Sequence, residues 1–263
     1  MGIVNLGADS FSGDGLPDLD AALARAGEMI GEGAEIIDVG AESARANRGP
    51  IPEAEEAAHL CAFIARWQQT YAGQAWLSVN TWRPAVARAA LACGGEILND
   101  IGALPTGENA RICADTGAAL LIMHSVGAPK VRHTHVTYPD VFAAMESFFE
   151  EKLEVALQEG LPIEAIVLDP GIDFAKQRED NLRIYRECRR LRRFERPILL
   201  PVSRKTVIGD VLGLPNAAER DAGTVACIVQ GMLQGAQIFR VHNVRAAVQT
   251  VRTIAGVEAL VDR

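Results

Sequence analysis

Ala165-Ile166-Val167-Leu168-Asp169-Pro170-Gly171-Ile172-Asp173-Phe174-Ala175-Lys176 decides how the chain is read. Four residues of the buried type end in a carboxylate, and Pro170 and Gly171 then force a turn. A strand that leaves the core this way places Asp169 at its C-terminal end, on a rigid base. Taken alone, such an aspartate serves as well to cap a turn as to bind a substrate.

The same layout recurs in both directions from this stretch. Apolar runs lie at residues 1–6, 35–39, 76–79, 96–101, 119–123, 165–168, 197–202 and 236–241. Amphipathic, Ala-rich segments lie between them at 18–31, 52–70, 83–92, 108–115, 139–159, 180–191, 218–233 and 244–254. Continuous Ile/Val/Leu runs suit parallel strands covered on both faces, and regular alternation with helices implies right-handed βα units. Eight such units predict an α/β protein, a (β/α)₈ TIM barrel, as a single domain over residues 1–263. No break in composition suggests a second domain.

The 263 residues are 49% hydrophobic and 23% charged, with a net charge of −8, which argues against nucleic acid or an anionic membrane surface as partner. No apolar stretch is long enough to span a bilayer. The chain opens on a strand-like run with no leader pattern, and a few residues upstream of this start are expected to be missing. Cys61, Cys93, Cys113, Cys188 and Cys227 are odd in number and scattered. They predict neither a metal site nor a disulfide framework, and point to a cytoplasmic protein. The last two helical segments carry apolar positions that suit a homodimer face or core packing equally well.

A polar group ends every strand. In chain order these are Asn5, Asp38, Asn80-Thr81, Asn99-Asp100, His124, Asp169, Ser203-Arg204-Lys205 and Arg240-Val241-His242. Each has a structural reading: Asp38 as a loop cap, Asn99 as a turn former, His124 as a satisfied core histidine. In this barrel, however, catalytic groups gather at the C-terminal strand ends, so convergence favours a shared site. Arg45, Arg204, Lys205, Arg240 and His242 suit a phosphate or diphosphate, unless Arg45 or Arg204 pairs with Glu42 or Asp173. Asp169 and Asn99 can read the donor and acceptor edge of a flat heterocycle, with Lys205 donating to it. Asn5 offers an oxygen to a magnesium ion that keeps water and phosphate as its other ligands. No ligand cluster suggests zinc, and no nucleophile elbow or Walker loop is present.

The motifs resemble those of the dihydropteroate synthase family. They are Met1-Gly2-Ile3-Val4-Asn5 with Asp9-Ser10-Phe11-Ser12; Ile36-Ile37-Asp38-Val39-Gly40 with Glu42-Ser43 and Arg45; Leu98-Asn99-Asp100; Met123-His124; Leu168-Asp169-Pro170-Gly171-Ile172 with Phe174 and Lys176; Ser203-Arg204-Lys205 with Ile208-Gly209; Gly223-Thr224; and Arg240-Val241-His242. They follow the family order and cover nearly the whole chain. The resemblance implies attack by the amine of p-aminobenzoate on 6-hydroxymethyl-dihydropterin diphosphate, with loss of Mg²⁺-diphosphate. It implies that Asn99, Asp169 and Lys205 hold the pterin, that Asn5 binds magnesium, and that Arg45, Arg240 and His242 hold diphosphate. It also points to Asp9, Asn80 and Lys205 as catalytic, and to Phe11, Ala44 and Thr206 as further substrate contacts.

Departures cluster at the reacting end. Asn80 stands where the family has Asp, Ala44 and Ala46 stand for a Thr and a Pro of the p-aminobenzoate pocket, and Thr206 stands for Ser. These leave open a divergent pterin-binding paralogue without synthase activity. A methyltetrahydrofolate-dependent methyltransferase is the other alternative, disfavoured because the Arg/Lys/His set suits a diphosphate.

Overall fold

The computed structural model describes residues 1–7, 18–42, 49–131 and 135–259. Eight parallel strands occur among them: β1 (Gly2–Asn5), β2 (Ile36–Gly40), β3 (Trp76–Asn80), β4 (Ile97–Asp100), β5 (Ala119–Met123), β6 (Ile166–Asp169), β7 (Leu199–Leu200) and β8 (Ile238–Phe239). β1 to β6 pair in sequence order as one sheet, and β7 pairs with β8. Two thinner seams close the ring. Leu168 N donates to Pro197 O at 2.9 Å between β6 and β7. Between β8 and β1, Ile3 N donates to Val241 O at 3.2 Å and Val241 N donates to Met1 O at 2.9 Å. The expected barrel is therefore present.

The helices are α1 (Leu19–Gly31), α2 (Glu53–Thr70), α3 (Pro84–Ala92), α4 (Glu108–Thr116), α5 (Val141–Gln158), α6 (Arg178–Glu187), α7 (Thr206–Leu212), α8 (Asp221–Leu233) and α9 (Val244–Glu258). One helix was expected after β7, and two are found. α7 is two turns long, too short to show a helical period in the sequence. It starts directly after Lys205, which caps it beyond the end of β7.

The strands look uniformly apolar in sequence but alternate in fact. Ile37, Val39, Leu77, Val79, Leu98, Leu120, Ile122, Ile166 and Leu168 belong to the large buried cluster that includes Phe63, Trp67 and Phe149 of the helices. Successive strand side chains point to opposite faces. The intervening positions Asp38, Ser78, Asn80, Asn99, Leu121, Met123, Val167 and Asp169 therefore face the barrel interior. Leu121, Met123 and Leu199 form a separate apolar cluster inside the ring, with Leu121 level with Asn99 and Met123 level with Asp169. The polar part of the interior wall lies on β2, β3 and β4 beside it.

Cys61 of α2 and Cys93, which caps α3, are joined as a disulfide with Cα atoms 5.7 Å apart. This corrects the expectation of no disulfide. The two lie 32 residues apart in sequence and meet only because α2 and α3 are neighbours. Cys113, Cys188 and Cys227 are free.

Candidate active site

Asp38 is the centre of the interior wall. Its carboxylate is fully buried. Oδ1 accepts from Ser78 Oγ at 2.6 Å, and Asn99 Nδ2 donates to both oxygens, at 3.2 and 3.1 Å. Oδ2 also accepts from Arg240 Nε at 2.7 Å and from Asn80 Nδ2 at 3.4 Å. A buried carboxylate needs such company, because desolvation of its charge is recovered only through donors and a counter-ion. Four expected or neighbouring wall residues are thus oriented by one group. The sequence marked Asp38 as a polar strand end but did not separate it from a loop cap. Its inward phase, opposite Ser78 in the β2–β3 register, was the available signal.

With its Nδ2 committed to Asp38, Asn99 turns its Oδ1 away. That oxygen is buried and has no hydrogen-bond partner among the described residues. A buried acceptor left in this state costs free energy until a donor meets it. Asp100, its chain neighbour, faces the other way. It holds the β4–α4 connection by accepting from Gly102 N at 2.7 Å and Asn109 Nδ2 at 2.9 Å, and so lies outside the site.

Asp169 is also buried, with Oδ1 accepting from Gly171 N at 2.7 Å. Burial pushes its carboxyl up to about 6, and the positive charges of Lys205, Lys176 and Arg240 pull against that shift. Gly171 is required: its φ is 66°, and an added Cβ would sit 2.0 Å from the carbonyl oxygen of His124. Beneath this turn lies Lys176. Its Nζ donates to the carbonyl oxygens of His124, Gly171 and Phe174 at 3.2, 3.0 and 3.1 Å, and meets His124 Nδ1 at 2.8 Å. Burial pulls Lys176 down to about 7, whereas this ring of acceptors favours the ammonium. Burial and the Lys176 charge hold His124 down to about 2, so its ring is neutral. His124 is thus a structural acceptor, and Lys176 is an internal strut for the loop after β6.

Lys205 reaches over that loop. Its Nζ donates to Ile172 O at 2.9 Å and lies 5.2 Å from the Phe174 ring centroid, a cation–π distance. The same loop supplies Asp173, whose carboxylate accepts from Thr206 N at 2.5 Å and Val207 N at 3.4 Å. Across β7 and β8, Ser203 Oγ and His242 Nδ1 are 2.7 Å apart, and His242 N donates to Ser203 Oγ at 3.1 Å. Ser203, which the sequence marks only as a polar strand end, is the partner that orients His242.

Arg204 has a different job from the expected anion contact. Its Nε and Nη2 grip Asp221 of α8 at 2.7 and 3.2 Å, a carboxylate other than the expected Glu42 or Asp173. Glu42 is instead bound by Arg83 at 2.7 Å and by Lys130. Asn5 ends β1 opposite Gly40. Asp9, Phe11, Ala44 and Arg45 lie outside the described residues. Among the described residues no group of three His, Cys, Asp or Glu side chains could hold a metal. Asn5 offers a neutral oxygen of the kind that a magnesium ion with phosphate and water as its other ligands accepts.

The pterin binding enzyme family matches residues 1–242. The dihydropteroate synthase of Escherichia coli K12 is 35% identical over 255 residues, spanning 97% of this chain and 89% of that protein. The sulfonamide complex of Yersinia pestis dihydropteroate synthase superposes with a TM-score of 0.92 at 33% identity, covering 99% of this chain and 93% of the other. The Xanthomonas albilineans dihydropteroate synthase in complex with 7,8-dihydropteroate does so with a TM-score of 0.86 at 32% identity, covering 98% and 93%.

Proposed function

This chain belongs to the dihydropteroate synthase family of pterin-binding enzymes, and on that premise we propose how its barrel mouth works. The chain is a dihydropteroate synthase-like transferase of folate biosynthesis. It joins 6-hydroxymethyl-dihydropterin diphosphate to p-aminobenzoate or a related amine and releases diphosphate. The carbon–oxygen bond of the exocyclic methylene breaks, the amine nitrogen forms the new carbon–nitrogen bond, and the amine loses a proton. The whole of residues 1–263 is taken as one domain.

The pterin rests on Asn99, Asp169 and Lys205. The buried Oδ1 of Asn99 carries this reading, because it needs an N–H donor that the described residues do not provide. Asp169, ionised, accepts from the amino group and ring N–H of the pterin edge, and Lys205 donates from above. Arg240 and His242, with Arg45, take the departing diphosphate. Asp38 holds Arg240 through Nε, which aims the guanidinium before the leaving group arrives. Magnesium, when bound, neutralises part of the diphosphate charge, with Asn5 as one oxygen ligand. Asn80 stands where the family has a carboxylate, and in place of a second charge it gives the wall a donor to Asp38 at 3.4 Å. Asp9, Phe11, Ala44 and Thr206 complete the second-substrate side.

Asp169→Ala tests the pterin floor. Calorimetric titration with the pterin diphosphate is expected to show binding abolished. Undiminished affinity would defeat the assignment of Asp169.

We also propose a homodimer, supported by exposed Leu233 on α8 and Val257 on α9. A cytoplasmic location is supported by the chemistry of a dihydropterin, which oxidises readily outside a reducing compartment. No described helix is long and apolar enough to cross a membrane.

A further inference from the structure

Arg204, Gly209 and Thr224 belong to motifs that the proposed reaction leaves without a task, and all three meet at Arg220. This arginine ends the single turn Ala217–Arg220 that precedes α8, and it is buried. Its guanidinium is taken up by backbone. Nε donates to Leu214 O at 2.9 Å, Nη2 to Pro215 O at 2.8 Å, and Nη1 to both Arg204 O and Lys205 O at 3.2 Å. Gly209 of α7 makes room for it, since an added Cβ would sit 2.4 Å from Arg220 Cζ. A charge removed from water needs such a set of acceptors, and here the set includes the two residues that lead into α7.

Arg204 has φ 55°, in the left-handed region that a long side chain seldom adopts. Such a conformation lasts only where its surroundings over-determine it. They do so here at its N–H, its carbonyl and its side chain. Arg204 N donates to Thr224 Oγ1 at 3.0 Å, the carbonyl accepts from Arg220, and the guanidinium grips Asp221. Arg220, Asp221 and Thr224 form one stretch of chain at the start of α8. The turn they hold lies immediately before Lys205. The Lys205 carbonyl accepts from Ile208 N at 3.1 Å as α7 begins, and from Arg220 as well. From that fixed backbone the Lys205 side chain reaches Ile172 O and the Phe174 ring.

We propose that Arg220 and Thr224 are positioning residues for Lys205: they lock the left-handed turn at Arg204 and so aim the Lys205 ammonium at the pterin. Both act through the backbone of Arg204 and Lys205. The proposal rests on the reading that Lys205 holds the pterin, and it adds what directs that lysine. A lysine ammonium rides on a flexible four-carbon stem, so its direction depends on where the stem is rooted. A root held in place before the ligand arrives leaves less freedom to be lost on binding.

A double-mutant cycle tests this in the full chain, with the Kd of 6-hydroxymethyl-dihydropterin diphosphate by calorimetry as the readout. Arg220→Lys keeps the charge but loses the planar fork. Thr224→Val keeps the shape but loses the acceptor of Arg204 N, and it carries the test if R220K fails to fold. Each is expected to weaken binding about tenfold when Lys205 is present, the scale of misdirecting one hydrogen bond from a charged group. In a Lys205→Ala background, with no ammonium left to aim, the same changes are expected to cost less than about twofold. A merely structural role lowers the Tm and leaves affinity unchanged, or weakens it equally in both backgrounds, and either result overturns the proposal alone. If K205A binds as tightly as the wild-type chain, the pterin floor loses Lys205 and this proposal goes with it. No binding by the wild-type chain sinks the pterin-binding reading and this proposal together.

Discussion

Asp38 and Asp169 show how two buried aspartates differ by company. Asp38 is saturated by Ser78, Asn99, Asn80 and Arg240, and its task is to hold other side chains. Asp38→Asn presents an amide to the amide of Asn99 and releases Arg240. Turnover is expected to fall at least ~100-fold, as when a preorganised donor is lost. Thermal unfolding should report a destabilisation of about 3 kcal/mol, the scale of breaking a buried pair. A stable variant with ordinary turnover would remove Asp38 from the centre of the site. Asp169 is under-supplied, and burial lifts its carboxyl from 3.8 to about 6. A raised folded pKa means that its contribution to the stability of the ligand-free chain is full below about 3.8 and lost as pH rises through about 6. The pterin edge needs the ionised form, so its affinity is expected to weaken as pH falls through about 6. Calorimetry across that range checks this, and Asp169→Asn should flatten the profile as well as weaken binding. Asp169, Asn99, Lys205 and Arg240 were legible as candidates because each is a polar residue at or just beyond the C-terminal end of an apolar run. Asp38's role was not, because only the three-dimensional convergence of four strands separates a hub from a loop cap.

At the scale of elements, alternation hidden inside apolar runs divides core from site. β5 reads Ala119-Leu120-Leu121-Ile122-Met123, and nothing in its letters says that 121 and 123 face inward. α7 escaped notice for the same reason, being too short for a period to declare itself. The loop after β6 depends on Lys176, whose Nζ holds three carbonyl oxygens. Lys176→Met leaves these acceptors unmet and should cost on the order of 2 kcal/mol or more. It should also raise the KM for the pterin more than it lowers kcat, since Lys205 leans on Ile172 of that loop. Equal loss in both parameters, or none, would show that the strut and the floor are independent. The Cys61–Cys93 link ties α2 to the end of α3 across 32 residues. In the chain-entropy account a loop of that length contributes about 3 to 4 kcal/mol when oxidised. Reductant is expected to lower the Tm of the oxidised wild-type chain and to leave Cys61→Ala/Cys93→Ala unmoved. In a reducing cytoplasm the pair would stand as two thiols.

For the molecule as a whole, the count of eight βα units was legible because each unit repeats one pattern, and a closed barrel is the architecture that eight of them form. A net charge of −8 hid the cations at the mouth, since acids elsewhere outnumber bases and surface arginines such as Arg190 and Arg193 are matched by Glu146 and Glu150 of α5. What no letter string displays is that the ring is unevenly sewn. β2 and β3 share five register pairs, whereas β7 and β8 share two and join their neighbours by short seams. Lys205, Arg240 and His242 all follow that lightly laced quarter, while Asn99 and Asp169 belong to the firmly laced part. A molecule gripped by both is a stitch across the weak side. Deuterium uptake at 198–202 and 238–241 should accordingly outpace that at 36–40 in the empty barrel, and slow when the pterin diphosphate is bound. The substrate would then be, for as long as it stays, part of the wall.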